Sequence, residues 1–349
     1  MRTSRYSTLS LGLVLFSFNG VAASSTLRGL TGKSADEIEM DKLRDQWGIS
    51  GSDFKAAYAN FGDLWEPFDN RKDTPFFFMI PKSGTSTFQD YLGLCTQLPI
   101  ASHLGGEYES DKLEVITKGD RQYLNINPES RAGLYHAQKV KLAESAKAGV
   151  LISQYVHQVA SMFNTHNQAR WFTLMRNPLE RTSSEFYYIQ VAEWEPKAYK
   201  PWLKNWTLSQ YVNSDLFVDN WMTRQIVGKS RKSIPLTRED LENAKRLMSR
   251  KLLIGLIDEY EESLKRFRAY FGWVRDDACM DRLFHGENGG KRNSNSHPHL
   301  KRGSAEWKAV VQKHLFDMEL YTHALELFQK QKNLFFGDRA IAEGKEADK

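Results

Sequence analysis

The segment Pro81-Lys82-Ser83-Gly84-Thr85-Ser86-Thr87 combines a lysine, a glycine and four hydroxyl side chains. An ammonium group supplies charge to an anion, while hydroxyls and turn N–H groups supply hydrogen bonds. The segment differs from the nucleotide-triphosphatase loop Gly-x-x-x-x-Gly-Lys-Ser/Thr because its lysine precedes its glycine. The alternative is a simple strand-to-helix turn in which Gly84 gives backbone freedom and Thr85 or Ser86 caps the helix. The number of hydroxyls exceeds what capping requires, so we interpret the segment as a phosphate-binding turn.

A second basic segment runs from Arg176 to Tyr188, and it begins directly after an apolar run. Arg176 and Ser184 are spaced so that a guanidinium and a hydroxyl can both reach one phosphate group through charge-assisted hydrogen bonds. The alternative is an amphipathic helix with Glu180 in solvent and Tyr187 and Tyr188 in the core. That alternative fits those three residues singly but does not explain Arg176 and Ser184 together. We therefore interpret the segment as a second phosphate-binding element.

The elements that position these two segments follow from the pattern of apolar residues. Four continuous apolar runs, at residues 76–80, 150–152, 171–175 and 252–257, are typical of buried parallel strands. Helical patterns occur over Thr85–Leu94, Pro178–Val191, Thr237–Ser249 and Glu259–Phe271, and Thr237 with Asp240 form a cap pair. Alternating strands and helices predict an α/β fold with a central parallel sheet flanked by helices. Both basic segments follow strands, where open parallel sheets bind their ligands.

The remaining chain completes the predicted domain organisation. We expect a signal peptide over 1–23, a helical and irregular extension over 24–73, the main domain over 74–335 and a disordered tail over 336–349. Within the extension, Ser34–Trp47 has a helical pattern and 48–73 reads as irregular. One long helix is predicted over Ala305–Lys330. Its apolar stripe contains Trp307, Val310, Val311, Leu315, Met318, Tyr321, Leu325 and Phe328. Leu334-Phe335-Phe336 is expected to tuck back onto the domain.

The first residues have the composition of a secretory leader. Arg2 and Arg5 precede an apolar run over Leu9–Val21, which small residues follow, and we place cleavage near Ala23. The run is shorter than the roughly 20 residues that span a bilayer, so an uncleaved anchor is the less favoured alternative. We expect no transmembrane span after cleavage, and we expect location in the secretory pathway, in the Golgi lumen or outside the cell.

Cysteines, a sequon and net charge refine this expectation. Cys95 and Cys279 would meet an oxidising lumen, where they either pair or stay as two buried thiols. Asn205-Trp206-Thr207 is an acceptor sequence for N-glycosylation, of low specificity. The formal net charge of +5 suits an anionic donor or an acidic polymer. It does not amount to the concentrated basic stripe of a nucleic-acid-binding protein, so we expect no nucleic-acid partner.

Both basic segments resemble motifs of the sulfotransferases that use 3′-phosphoadenosine 5′-phosphosulfate (PAPS). The turn is similar to their 5′-phosphosulfate loop, Pro-Lys-x-Gly-Thr-Thr. Residues 176–188 are similar to Arg-Asp-Pro-x-x-Arg-x-x-Ser-x-Tyr-Tyr, the 3′-phosphate motif of the Golgi carbohydrate branch that includes the heparan sulfate 2-O- and 6-O-sulfotransferases. Asn177 stands where aspartate is usual, and Phe186 stands where the first tyrosine is usual. Weaker similarity extends this resemblance to about Pro75–Lys330, through the segments Asn220–Gly228, Gly255–Leu264 and Arg292–Asn295.

The resemblance implies a P-loop-containing three-layer fold and a sulfotransferase that moves the sulfuryl group of PAPS to a carbohydrate hydroxyl, without a metal. The acceptor would be a glycan or polysaccharide, including an acidic one. Lys82 would stabilise the charge on the departing phosphate oxygen. The residues implied for donor binding are Lys82, Ser83, Gly84, Thr85, Ser86 and Thr87 at the 5′-phosphate, and Arg176, Ser184 and Arg292 at the 3′-phosphate. His297 and His299 would belong to a loop that closes over the donor, as would Lys291.

The acceptor hydroxyl needs a general base, which is normally a histidine or a glutamate in this family. His157 is the first choice because it follows the predicted strand at 150–152, with His103, His136 and Glu107 as alternatives. Other functions stay open: a tyrosylprotein or small-molecule sulfotransferase, or a noncatalytic glycan-binding protein that keeps the fold. The aromatic residues Trp194, Tyr199, Trp202 and Trp206 would either stack on sugar rings or pack as the lid of a small subdomain.

Overall fold

The computed structural model describes residues 51–106, 110–274, 276–285 and 297–336, and its centre is a seven-stranded sheet. The strands are β1 (Thr74–Phe78), β2 (Ile100–Ala101), β3 (Val115–Lys118), β4 (Arg121–Leu124), β5 (Val150–Ser153), β6 (Ala169–Met175) and β7 (Leu253–Leu256). Their order is β3-β4-β2-β5-β1-β6-β7, and every neighbouring pair is parallel except β3 with β4. The predicted α/β fold with a mostly parallel sheet is confirmed.

Helices flank this sheet. The α-helices in the described ranges are α1 (Gly51–Asn60), α2 (Thr85–Tyr91), α3 (Arg131–Lys139), α4 (Leu142–Ser145), α5 (Val156–Met162), α6 (Pro178–Tyr188), α7 (Leu208–Val212), α8 (Trp221–Ile226), α9 (Arg238–Lys251), α10 (Tyr260–Phe271), α11 (Asp277–His285), α12 (Ala305–Lys313), α13 (Leu315–Lys330) and α14 (Asn333–Phe336). Short 3-10 turns lie at His103–Gly105, Pro201–Asn205 and Ile257–Glu259, and a π-turn at Leu92–Thr96 continues α2. The predicted cap of α9 is confirmed, because Thr237 and Asp240 form a capping box.

Strand β1 lies at the middle of the sheet and is buried on both faces. Phe77 packs on one face, with its ring centroid 4.5 Å from that of Phe88 on α2. Phe78 packs on the opposite face, against Trp171 on β6 and Trp221 on α8. Alternate side chains of a strand point to opposite faces, so a continuous apolar run needs a layer of helices on each side. Helices α2, α10 and α11 cover the first face, and α1, α5, α8, α9 and α13 form the layer on the second.

The single long helix predicted over 305–330 is wrong, because the chain breaks at His314 into α12 and α13. His314 is fully buried, and its Nε2 lies 2.7 Å from the hydroxyl of Thr182 on α6. Leu315 and Leu325 of the predicted stripe are exposed, whereas His314, Asp317 and Leu320 are buried.

The predicted irregular segment at 48–73 contains a helix. Helix α1 buries Ala57, and the following Phe61 and Leu64 join the core. This segment is therefore part of the packed domain. Leu334 and Phe335 of α14 pack against the core as predicted. The leader at 1–23, the helix at 34–47 and the tail beyond 336 lie outside the described residues.

The outer edge of β7 is closed by side chains. The side-chain amide of Gln331 accepts a hydrogen bond from Ile254 N (2.9 Å) and donates one to Leu252 O (2.9 Å). Further along the same edge, Ser263 Oγ accepts from Leu256 N at 2.9 Å. Two side chains thus take the place of a neighbouring strand.

Cys95 and Cys279 form a disulfide, which resolves the two alternatives that the sequence left open. Cys95 lies in the π-turn after α2 and Cys279 lies in α11, so the bond connects two elements on the same face of the sheet.

None of the helices in the described part of the chain is long and apolar enough to span a lipid bilayer.

Candidate functional site

A cleft of about 770 Å³ lies at the carboxyl ends of the parallel strands. Its wall includes Met79 after β1, His103 after β2, Arg176 after β6 and Ile257 after β7. Ligands of open parallel sheets bind at this edge because the loops there converge. The cleft therefore lies where the sequence places the two basic segments.

The predicted phosphate-binding turn forms one wall of the cleft. Lys82 (φ 64°) and Gly84 (φ 78°) both adopt the left-handed backbone conformation. A Cβ on residue 84 would lie 3.3 Å from the ring of Tyr260, so both the backbone angle and the space require glycine there. Arg176 Nη1 donates to the carbonyl of Lys82 at 3.2 Å, which fixes the turn against the second basic segment. A lysine rarely takes this conformation, and such strain is concentrated at functional sites.

The hydroxyls of the turn differ in where they point. Thr85, Ser86 and Thr87 line the cleft, whereas Ser83 is buried beneath the turn and does not. The Thr85 hydroxyl is buried and has no hydrogen-bond partner within the described residues.

The ammonium group of Lys82 lies over the ring of Tyr188, 3.3 Å from the ring centroid. Burial lowers the pKa of Lys82 to about 8, although the nearby carboxylates of Glu195 and Glu185 oppose this shift. Arg176 adds to the lowering by repulsion. Lys82 is therefore a cation at neutral pH with little water around it, which strengthens its attraction for an anion.

Arg176 is half-buried, and burial lowers its pKa. It forms no ion pair with any residue in the described ranges, and Ser184 stands beside it in the cleft wall.

The structure explains why asparagine can replace the usual aspartate at position 177. The Asn177 side chain accepts a hydrogen bond from Leu179 N at 2.9 Å and caps α6, as an aspartate would.

A histidine and a glutamate lie together at the cleft. His103 lines the cleft, and its Nδ1 lies 2.7 Å from Glu129 Oε1, which also accepts from the His103 backbone N–H at 3.1 Å. The hydrogen bond from Glu129 raises the pKa of His103. With Nδ1 engaged, the other ring nitrogen is the one that a ligand can meet. A histidine oriented by a carboxylate is the arrangement of a general base.

His157, the first choice for the base, lies away from the cleft. It belongs to the far layer on α5, where its Nε2 lies 3.0 Å from Ile226 O. His136 is also absent from the cleft wall. Glu107, Lys291 and Arg292 lie outside the described residues. His297 stacks on Tyr187 with ring centroids 5.6 Å apart, and His299 lies 3.7 Å from Glu180.

Four cleft residues with a carboxylate or imidazole side chain are absent from the predicted site: Glu185, Glu195, Glu261 and His285. Glu261 and His285 approach each other to 3.4 Å on α10 and α11. Glu195 lies in the irregular segment after α6, where a single glutamate has no pattern that would distinguish it. Tyr188 was interpreted as a core residue, and it is buried, but its ring also faces the cleft.

The aromatic residues after α6 do not themselves form a packed lid. Trp194 and Trp202 are 65% and 53% exposed, while Leu203 and Leu208 supply the buried packing of this region. Trp194 Nε1 donates to the hydroxyl of Tyr188 at 3.1 Å, which brings this indole next to the cleft. The exposed rings are consistent with stacking on a ligand.

Neither the models of known protein families nor the curated proteins compared with this sequence match it. Across the described ranges, no group of three or more His, Cys, Asp or Glu side chains is arranged to hold a metal ion. Fold and site together define an α/β protein with a cleft at the carboxyl edge of its sheet, lined by Lys82, Arg176 and three glutamates.

Proposed function

We propose that this protein is a P-loop-type sulfotransferase that moves the sulfuryl group of PAPS to a hydroxyl of a carbohydrate. One observation carries the proposal: Lys82 and Arg176 come from different strands, meet at one turn, and pair with no carboxylate among the described residues. Lys82 and Arg176 are partly buried and repel each other, and the carboxylates of Glu195 and Glu185 offset this only in part, since the pKa of Lys82 stays lowered. A ligand with two phosphate groups would compensate both.

The residues of the cleft fit such a donor. Lys82, the backbone of residues 83–87 and the hydroxyls that line the cleft would hold the 5′-phosphosulfate. Arg176 and Ser184 would hold the 3′-phosphate, which sets the register of the nucleotide, and Arg292 is proposed as a further contact. PAPS supplies an activated sulfuryl group on a phosphate leaving group.

Lys82 would then act where charge develops. As the bond from sulfur to the bridging phosphate oxygen breaks, the ammonium would stabilise the negative charge on that oxygen. His103 would take the proton of the acceptor hydroxyl as the acceptor oxygen bonds to sulfur. We propose His103 instead of His157 because only His103 lines the cleft and has a carboxylate to orient it.

A carbohydrate acceptor is supported by the exposed indole of Trp194, which is bonded to the cleft residue Tyr188, since aromatic faces stack on sugar rings. The Cys95–Cys279 pairing suits an oxidising lumen, and we propose the secretory pathway as the location, in the Golgi or outside the cell. Tyrosine side chains and small hydroxyl compounds are the alternative acceptors.

Calorimetric titration of the folded protein with 3′-phosphoadenosine 5′-phosphate, with ATP as the control ligand, tests donor binding. We expect the bisphosphate to bind at least tenfold more tightly than ATP, and Arg176→Ala to weaken it. A folded protein that does not bind the bisphosphate would refute the proposal. Sulfate transfer from labelled PAPS to polysaccharides, tyrosine peptides and phenols then identifies the acceptor, and bisphosphate binding without transfer would indicate a noncatalytic protein.

A further inference from the structure

Tyr188 is bound on two sides. Its ring face carries the Lys82 ammonium, 3.3 Å from the centroid. Its hydroxyl donates to Glu195 Oε1 at 2.6 Å and accepts from Trp194 Nε1 at 3.1 Å. Burial, together with the bond to Glu195, raises the pKa of this phenol to about 12, so it remains a donor at neutral pH.

The remainder of the Tyr188 side chain is fixed by packing. Tyr188 is the last residue of α6 and belongs to a buried cluster with Phe186, Leu203 and Tyr211. A ring held by packing at one end and by two hydrogen bonds at the other has little freedom to turn. It presents a constant face to the cleft.

Lys82, in contrast, has a long and flexible side chain. Free lysine side chains lose rotamer entropy when they are fixed. A cation over a tyrosine ring is attracted by the negative face of the ring, and this attraction is greatest where water is excluded. A fixed ring can therefore hold the ammonium before any ligand enters.

We propose that Tyr188 is the positioning residue of this site: its ring holds the Lys82 ammonium in the cleft, and Glu195 holds the ring. This inference rests on the proposed function for its catalytic consequence, since the ammonium is the group that would meet the departing phosphate. Glu195 also acts directly on Lys82, because its carboxylate attracts the ammonium group. The segment after α6, which carries the exposed Trp194, is thereby connected to the donor side of the cleft.

The titration of Lys82 reports this arrangement. The charged and titratable groups of the cleft wall are Arg176 after β6, Glu185 and Tyr188 on α6, Glu195 after α6, His103 after β2, and Tyr260, Glu261 and His285 on α10 and α11. Burial is the largest cause of the lowered pKa of Lys82, and Glu195 opposes it. Removal of the Glu195 carboxylate should therefore lower the pKa of Lys82.

The test uses the folded protein with its lysines reductively methylated with ¹³C, and the Lys82 signal is assigned by its loss in Lys82→Arg. We expect this signal at unusually high field because it lies over the Tyr188 ring. Tyr188→Phe should keep the high-field position, and Tyr188→Leu should abolish it. Glu195→Gln should lower the pKa of Lys82.

Glu193→Gln is the matched control, because Glu193 is two residues away and binds Tyr199 instead. It should leave both the signal and its titration unchanged. A Lys82 signal at ordinary field in the wild type, or one that Tyr188→Leu does not move, overturns the proposal. If Tyr188→Leu does not fold, the wild-type and Tyr188→Phe spectra still decide it, because a Lys82 signal at ordinary field in either protein overturns the proposal.

These spectra need neither donor nor acceptor, so they are informative even if the protein transfers no sulfate. In an active protein, Tyr188→Leu should lower kcat about tenfold with an unchanged KM for the acceptor, whereas Tyr188→Phe should keep most of the wild-type kcat.

Discussion

Two arginines at opposite ends of strand β6 have opposite surroundings. Arg170, near the amino end, is buried, pairs with Asp73 at 2.8 Å, and also donates to the carbonyls of Asp63, Glu66 and Pro67. Arg176, directly after the carboxyl end, donates only to the carbonyl of Lys82 among the described residues. The same side chain is thus fully bonded at one end of the strand and sparsely bonded at the other.

The difference separates a structural charge from a binding charge. A buried charge that is fully compensated contributes to the fold and has no capacity left for a ligand. A cation that is only half-buried and keeps most of its donors can bind an anion when one arrives. We infer that the carboxyl edge of the sheet gives up some stability so that its cations remain available.

Replacement of Arg170 should have the largest effect on folding. Arg170→Met leaves the buried Asp73 carboxylate and three carbonyls without their donor, so we expect a loss of about 3–5 kcal/mol in the free energy of unfolding. Urea denaturation followed by circular dichroism measures it. Adding Asp73→Leu to this variant should recover part of the loss. If Arg170→Met alone is as stable as the wild type, the contrast between the two arginines does not hold.

Lys82→Ala should have the largest effect on catalysis. Loss of one preorganised charge at the developing anion lowers turnover by about 10²–10³-fold. The measurement is the rate of sulfate transfer from PAPS at saturating donor, with the unfolding midpoint as a control for integrity. Turnover within a factor of three of the wild type would mean that Lys82 does not meet the leaving group.

Arg176→Ala should weaken ligand binding and leave stability almost unchanged, which is the opposite of the pattern expected for Arg170→Met. We expect bisphosphate affinity to fall by about 10–100-fold, because a charge-assisted hydrogen bond contributes about 1.5–3 kcal/mol. Its stability should change by no more than about 1 kcal/mol, since a single bond to a carbonyl is lost. Calorimetry and urea denaturation on the same sample test both statements. A large loss of stability with unchanged affinity would reverse the assignment.

Glu129→Gln should give the smallest effect, visible in the pH profile. The Glu129 carboxylate raises the pKa of His103, and a general base acts only when it is unprotonated. Turnover should therefore rise with pH through the pKa of His103, and in the variant this rise should begin at lower pH. The plateau should fall by about tenfold because the ring loses its orienting bond. His157→Asn is the comparison, with an unchanged profile expected.

Much of the fold could be predicted because its strands are strongly apolar. Strands β1, β6 and β7 coincide with predicted runs, and the capping box at Thr237 marks α9. The two-residue strand β2 could not be predicted because two residues carry no period. The break at His314 could not either, since it depends on a hydrogen bond to Thr182, 132 residues away.

The candidate site divides in the same way. Lys82 and Arg176 could be located from sequence because each follows a strong strand signal. The pairing of His103 with Glu129 could not, because it joins residues 26 positions apart across two irregular segments. His157 does follow strand β5, but it is the second residue of helix α5, which lies in the layer away from the cleft.

The side chains at the outer edge of β7 have a consequence for behaviour in concentrated solution. An exposed strand edge offers unpaired N–H and C=O groups, which can recruit a strand from another molecule and start aggregation. Gln331 and Ser263 already occupy the groups of Leu252, Ile254 and Leu256 that such a strand would use. Gln331 and Ser263 therefore protect against intermolecular sheet growth at the edge where β7 is the last strand among the described residues.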